Sequence, residues 1–228
     1  STDVQQQSRL STIKGQFRAL RESLAAAANA GNPAAAGANK DKRDLKLLVL
    51  YGSDSGKGAG VAERIASKVE RAGYGEVRCL EANEFAPELL DEEVHVVLIL
   101  STAGQGEDCA NAKKFAKAVH DRKSNLPKSL KFAVFGLGDS SYWGAGSTDS
   151  AKYFCLPARR MFDKLSSLQA TPLVPRAFLG DDRHDDGFET ELTVFESELY
   201  SSLRVTGLNT ATAAPHADDD IKIASNYL

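Results

Sequence analysis

The sequence predicts an α/β protein built around an open, doubly wound parallel sheet, and three observations predict it. From residue 45 onward, apolar runs of strand length alternate with amphipathic stretches of helical length. Two of those runs, Leu47-Leu48-Val49-Leu50 and Val96-Val97-Leu98-Ile99-Leu100, are apolar at every position, the pattern of strands covered by helices on both faces. The segments after the first, third and fourth runs are rich in glycine and hydroxyl residues, as expected of loops holding a ligand beyond the carboxyl ends of parallel strands.

In chain order, residues 1–28 place Leu10, Ile13, Phe17, Leu20 and Leu24 at steps of three and four among charged residues, which predicts an amphipathic helix. Residues 25–39 are mostly Ala, Gly and Asn, too poor in large apolar groups for core, so 1–44 reads as a helix plus linker. The folded domain is expected over 45–204. Its strands are expected at 45–51, 76–80, 95–100, 131–135 and 171–179, with helices near 60–72, 109–121, 149–168 and 189–203. Residues 205–228 return to linker composition, with Asp218-Asp219-Asp220 near the end.

With 228 residues, 42% hydrophobic and 26% charged, the chain can bury one substantial core. A formal charge of -3 offers no basic field for nucleic acid. No apolar run approaches the ~18 residues a membrane span needs, so neither nucleic acid nor bilayer is an expected partner. Cys79, Cys109 and Cys155 are too scattered for a disulfide framework or a metal site and read as reduced thiols of a cytoplasmic protein. The chain begins without Met and ends at Leu228 without a helix cap, which suggests a piece of a longer polypeptide.

After the first strand comes Gly52-Ser53-Asp54-Ser55-Gly56-Lys57-Gly58-Ala59-Gly60, leading into a helix. Small hydroxyl residues and glycines there let backbone N–H groups converge on an anion at the helix N-terminus, a phosphate cradle. A nucleotide P-loop would need one more residue before Gly56-Lys57 and a hydroxyl where Gly58 stands. A dinucleotide fingerprint would space its glycines differently, although Glu81 does end the second strand where a ribose ligand could sit. The third loop reads Ser101-Thr102-Ala103-Gly104-Gln105-Gly106-Glu107, and the fourth Gly136-Leu137-Gly138-Asp139-Ser140-Ser141-Tyr142-Trp143. Their glycines permit close approach to a flat ring, and their aromatics can stack on one.

Taken together, in order and at strand ends, these loops resemble those of the FMN domains of diflavin reductases. That family carries Ser-x-Thr-Gly, Ser/Ala-Thr-x-Gly-x-Gly and Gly-Leu-Gly-Asp/Asn-x-x-Tyr, against Ser53-Asp54-Ser55-Gly56, Ser101-Thr102-Ala103-Gly104-Gln105-Gly106 and Gly136-Leu137-Gly138-Asp139-Ser140-Ser141-Tyr142 here. The resemblance implies a flavodoxin-like, five-stranded parallel sheet in the order 2-1-3-4-5 with helices on both faces. It implies that residues 53–58 hold the phosphate of FMN, that Ser101 and residues 102–106 with Leu137, Gly138 and Asp139 border the ring, and that Tyr142 stacks on it. Trp143 is either a second ring contact or packing beneath a longer loop. Leu179-Gly180-Asp181-Asp182 resembles the family's Leu-Gly-Asp-Asp, which brings Asp182 to the site. Two departures stand out. Lys57 replaces the usual Thr or Asn and offers a cation to a phosphate of charge about -1.5 to -2, and Ala103 replaces an aromatic found in some members.

The last residues, Lys222-Ile223-Ala224-Ser225-Asn226-Tyr227-Leu228, resemble the beginning of sulfite reductase haemoproteins. Fungal-type β subunits of that assimilatory, NADPH-dependent enzyme place a flavodoxin-like domain upstream of the haemoprotein. The resemblance implies electrons passing from NADPH to FAD on a partner flavoprotein subunit, then to FMN here. From there they would reach sirohaem and an iron–sulfur cluster in a downstream domain, where sulfite becomes sulfide. No catalytic or metal-ligating residue is expected in this segment itself. Two alternatives stay open: a docking module of the same fold that has lost its flavin, and the FMN domain of another fused reductase.

Overall fold

The computed structural model describes residues 45–144 and 147–205. The expected N-terminal helix, its linker and the C-terminal sulfite-reductase-like motif lie outside the described residues. Strand β1 (Lys46–Gly52) leads to helix α1 (Lys57–Arg71), and β2 (Glu76–Glu81) is followed by two short 3₁₀ turns. Next come β3 (His95–Ala103), β4 (Glu107–Asp108), α2 (Lys113–Asp121) and β5 (Lys131–Gly138). The chain continues through α3 (Thr148–Tyr153), α4 (Leu156–Ser167), β6 (Thr171–Pro172), β7 (Phe178–Asp181) and α5 (Glu189–Ser202).

The sheet runs β2-β1-β3-β5, with β6 and β7 sharing the next position beside β5, every one of these pairs being parallel. This is the expected flavodoxin-like order 2-1-3-4-5. Because successive strand residues face opposite sides, the apolar runs divide cleanly between two cores. Leu47, Val49, Val97, Ile99 and Phe135 pack under α1 and α5 through Ile65, Val69, Leu192, Phe195 and Leu199. Leu48, Leu50, Val96, Leu98, Phe132 and Val134 pack under α2 and α4 through Phe115, Val119, Met161 and Leu165. A fully buried Leu, Val or Phe of this kind contributes roughly 1.5–3 kcal/mol by leaving water. Val205 is still buried in the first core, one residue past the expected domain end.

Three elements differ from expectation. The fifth strand is broken at residues 173–177 because Pro172 and Pro175 supply no N–H to the ladder, which confines such a segment to the sheet edge. The single helix expected over 149–168 is two helices. Pro157 cannot donate to the carbonyl four residues back, and Cys155 turns through a left-handed φ of 48° between them. Arg159 then caps the end of α3, donating to the carbonyls of Phe154 (3.1 Å), Ala151 (3.3 Å) and Lys152 (2.8 Å). The helix expected from residue 109 starts at Lys113 instead, because β3 turns back into the short antiparallel β4, with Thr102 opposite Asp108, before the helix begins. No described helix is long and apolar enough to cross a membrane.

Candidate functional site

The winding direction reverses between β1 and β3, because β1 leads to α1 on one face of the sheet and β3 leads to α2 on the other, and a cleft opens beyond the carboxyl ends of β1, β3 and β5. Its volume is about 270 Å³. From the first loop it is lined by Ser55 and Lys57, and from the third by Ser101, Thr102 and Gly104. The fourth loop supplies Leu137, Gly138, Asp139, Tyr142 and Trp143, and the segment after β7 supplies Asp182 and Phe188.

The remaining expected residues are not part of this lining. Ser53 is buried, and its Oγ accepts hydrogen bonds from Gly56 N (3.0 Å) and Gly58 N (3.1 Å), so it folds the loop rather than facing the cleft. Asp54 Oδ1 accepts from Ala110 N at 2.9 Å, tying the first loop to the turn before α2. Gly56 adopts φ 86° as the residue that opens α1. A Cβ on Gly58 would lie 2.8 Å from Ser101 Oγ, so only glycine lets the start of α1 approach the third loop. Ala103 is paired with Glu107 in the β3–β4 hairpin. Gly106, at φ 84°, packs where a Cβ would meet Leu156 at 2.9 Å.

The fourth and fifth loops are held by carboxylates. Asp139 Oδ1 accepts from both the N–H and the hydroxyl of Ser141, each at 2.8 Å. Burial works to raise the Asp139 pKa, but those hydrogen bonds and the charge of Arg183 bring it below the usual carboxylate value. Lys57 Nζ forms an ion pair with the Asp182 carboxylate, joining the first loop to the last.

Tyr142 is 66% exposed, unusual for a large aromatic side chain. Its ring meets Trp143 edge-on at 5.0 Å between centroids, and Trp143 leans on Tyr153 at 5.5 Å. Trp143 is thus both loop packing and cleft lining. The buried atoms Ser101 Oγ and Trp143 Nε1 have no hydrogen-bond partner among the described residues, and Thr102 Oγ1 has only the Cys155 thiol beside it. Leaving such atoms unsatisfied costs roughly 1–3 kcal/mol each. The donor set therefore suits a ligand with an anionic group at the α1 end and a flat ring with polar edges beneath Tyr142.

Sequence reasoning missed three residues. Asn111 Oδ1 accepts from Ser53 N at 2.9 Å, a contact across 58 positions that nothing local announces. Asp181 is buried, and its Oδ1 accepts from Ser140 N (3.0 Å) and Arg183 N (3.1 Å); it immediately precedes Asp182 in the Leu-Gly-Asp-Asp motif. Phe188 lines the cleft just past the acidic run 181–186, an apolar residue that follows the run by two positions.

A fold and cleft of this kind define a flavodoxin-like member of the doubly wound proteins. The Flavodoxin family model matches residues 49–194, and the chain belongs to that family. It is 38% identical over 183 residues to sulfite reductase [NADPH] subunit beta of Saccharomyces cerevisiae. To the subunit of the same name from Schizosaccharomyces pombe it is 34% identical over 184 residues. Each alignment covers 80% of this chain, which spans only 12% of the length of either yeast subunit. Among solved structures, a cysteine-to-alanine mutant of Pseudomonas aeruginosa flavodoxin superposes with a TM-score of 0.55 at 26% identity, over 70% of this chain and 99% of that one.

Proposed function

We propose that the cleft binds FMN and that the domain carries electrons one at a time inside a larger, sulfite-reducing oxidoreductase. The observation that carries this reading is the convergence of three strand-end loops on one cleft whose lining includes both the start of α1 and an exposed tyrosine. In this reading Ser55, Lys57 and the N–H groups that the first turn of α1 leaves without intrahelical acceptors hold the phosphate. Thr102, Gly104, Leu137, Gly138 and Asp139 border the ring, the buried Thr102 and Trp143 polar atoms find their partners along its polar edges, and Ser101 Oγ, beside Gly58, serves the phosphate end. Tyr142 supplies a stacking face. Ser53, Asp54, Gly56, Gly58, Ala103 and Gly106 shape the loops behind them.

FMN, when bound, supplies reversible one-electron chemistry that no protein side chain here provides. The chain's own contribution is to position the ring, keep one edge accessible at the exposed fourth loop, and set the hydrogen bonds around it. Similarity to the yeast beta subunits supports sulfite reductase as the parent enzyme. In that setting an FAD- and NADPH-binding flavoprotein subunit donates electrons, and a downstream sirohaem and iron–sulfur domain, following residues 205–228, accepts them in the cytoplasm.

Ligand specificity tests the reading. A ligand that binds only the native state stabilises it by about 2.7 kcal/mol at a hundredfold excess over its dissociation constant. FMN is expected to raise the melting temperature of the chain, and FAD and NAD to do so less at equal concentration. An equal or larger shift with NAD would overturn the assignment.

A further inference from the structure

We propose that Lys57 is the residue by which the cleft distinguishes a phosphorylated flavin from an unphosphorylated one, and that Asp182 holds it ready, surrendering the ammonium to the phosphate when the ligand enters. The inference rests on the FMN reading and concerns how the site selects. Lys57 and Asp182 are 125 positions apart, yet they meet at the cleft that both line. Lys57 is the first residue of α1, whose opening turn contains no acidic residue, so the carboxylate standing at this helix start is brought from the loop after β7.

Both side chains are substantially exposed, and an ion pair of that kind is weakly held. A phosphate monoester brings about -1.5 to -2 charge and three acceptor oxygens against the single charge of Asp182. The same end of the cleft holds the buried, unpartnered Ser101 Oγ beside Gly58. A phosphate there gains the ammonium, a hydroxyl and the helix N-terminus together, whereas the carboxylate gains the ammonium alone. The exchange therefore favours the phosphate, and Asp182 sets how much of its attraction is spent on displacing the pair.

The test is a fluorescence titration of the full chain with FMN and with riboflavin, in the parent, Lys57→Met, Asp182→Asn and the double variant. Lys57→Met is expected to weaken FMN about tenfold, the worth of one charge-assisted hydrogen bond, and riboflavin less than about twofold. Asp182→Asn is expected to tighten FMN about three- to fivefold in the parent and to have little effect once Lys57 is gone. Equal losses for the two flavins in Lys57→Met, or an Asp182→Asn gain of the same size in both backgrounds, would overturn the exchange; the latter would mean simple repulsion. Melting curves check that each variant folds, and Lys57→Gln replaces Lys57→Met if the latter does not. Failure of the parent to bind either flavin would instead remove the FMN reading itself.

Discussion

Asp181 Oδ1 accepts a hydrogen bond from Ser140 N at 3.0 Å, and through it the end of β7 grips the loop that carries Tyr142. The same oxygen also accepts from Arg183 N at 3.1 Å, and Asp182 N donates to Gly138 O at 2.8 Å, so the fourth loop and the segment after β7 are tied together. Asp181→Ala is expected to destabilise the domain by about 1–3 kcal/mol, the cost of leaving partly buried N–H groups without an acceptor. Asp181→Asn keeps an acceptor oxygen and should cost less. Urea denaturation of both variants reads the difference. Equal stability of Asp181→Ala and the parent would show that the two loops are fixed by other contacts.

The aromatic pair predicts two separable losses. Tyr142→Ala removes an exposed ring that no core contact needs, so the fold should be unchanged while FMN binding weakens by about 0.5–1.5 kcal/mol. Trp143→Ala removes a ring wedged between Tyr142 and Tyr153 and should lower the melting temperature of the unliganded chain as well. Fluorescence titration paired with a melting curve for each variant separates the two. Unchanged FMN affinity in Tyr142→Ala, with a loss in Trp143→Ala, would place the stacking role on Trp143.

His95 gives the domain a pH dependence. It is buried at the start of β3, with Nδ1 2.8 Å from the Tyr74 hydroxyl. Burial, and then the charge of Lys131, hold its pKa below the ordinary value, against a weaker opposing hydrogen bond at the Lys46 backbone. His120 is lowered in the same direction by burial and by Arg160. A histidine whose folded pKa lies below its unfolded value of about 6.5 is more protonated in the unfolded chain between the two values, so stability falls as pH drops below about 6.5. Denaturation midpoints between pH 7.5 and 5 are expected to decline, and His95→Gln should make the decline shallower. An identical slope in the variant would assign the dependence elsewhere.

The parallel sheet was legible because Leu47–Leu50 and Val96–Leu100 are buried on both faces and so must be apolar throughout. The three glycine-rich loops were legible because close approach and positive φ restrict residue choice, as at Gly58 and Gly106. What the sequence left hidden are contacts made across distance. Asn111, Asp181 and the Lys57–Asp182 pair depend on which loops the strand order brings together. The break at Cys155 was hidden for another reason: the residues after Pro157 keep helical periodicity, which masks the left-handed turn at Cys155 that starts a new helix there.

FMN uptake at equilibrium tests the central claim most directly. Titrating a fixed, low concentration of FMN with the purified chain should quench the flavin fluorescence and saturate at one FMN per chain, with a dissociation constant in the micromolar range or tighter (about -8 kcal/mol). Absence of uptake at tens of micromolar protein, a free energy no better than about -6 kcal/mol, would contradict the account and leave a flavodoxin-like fold retained for docking.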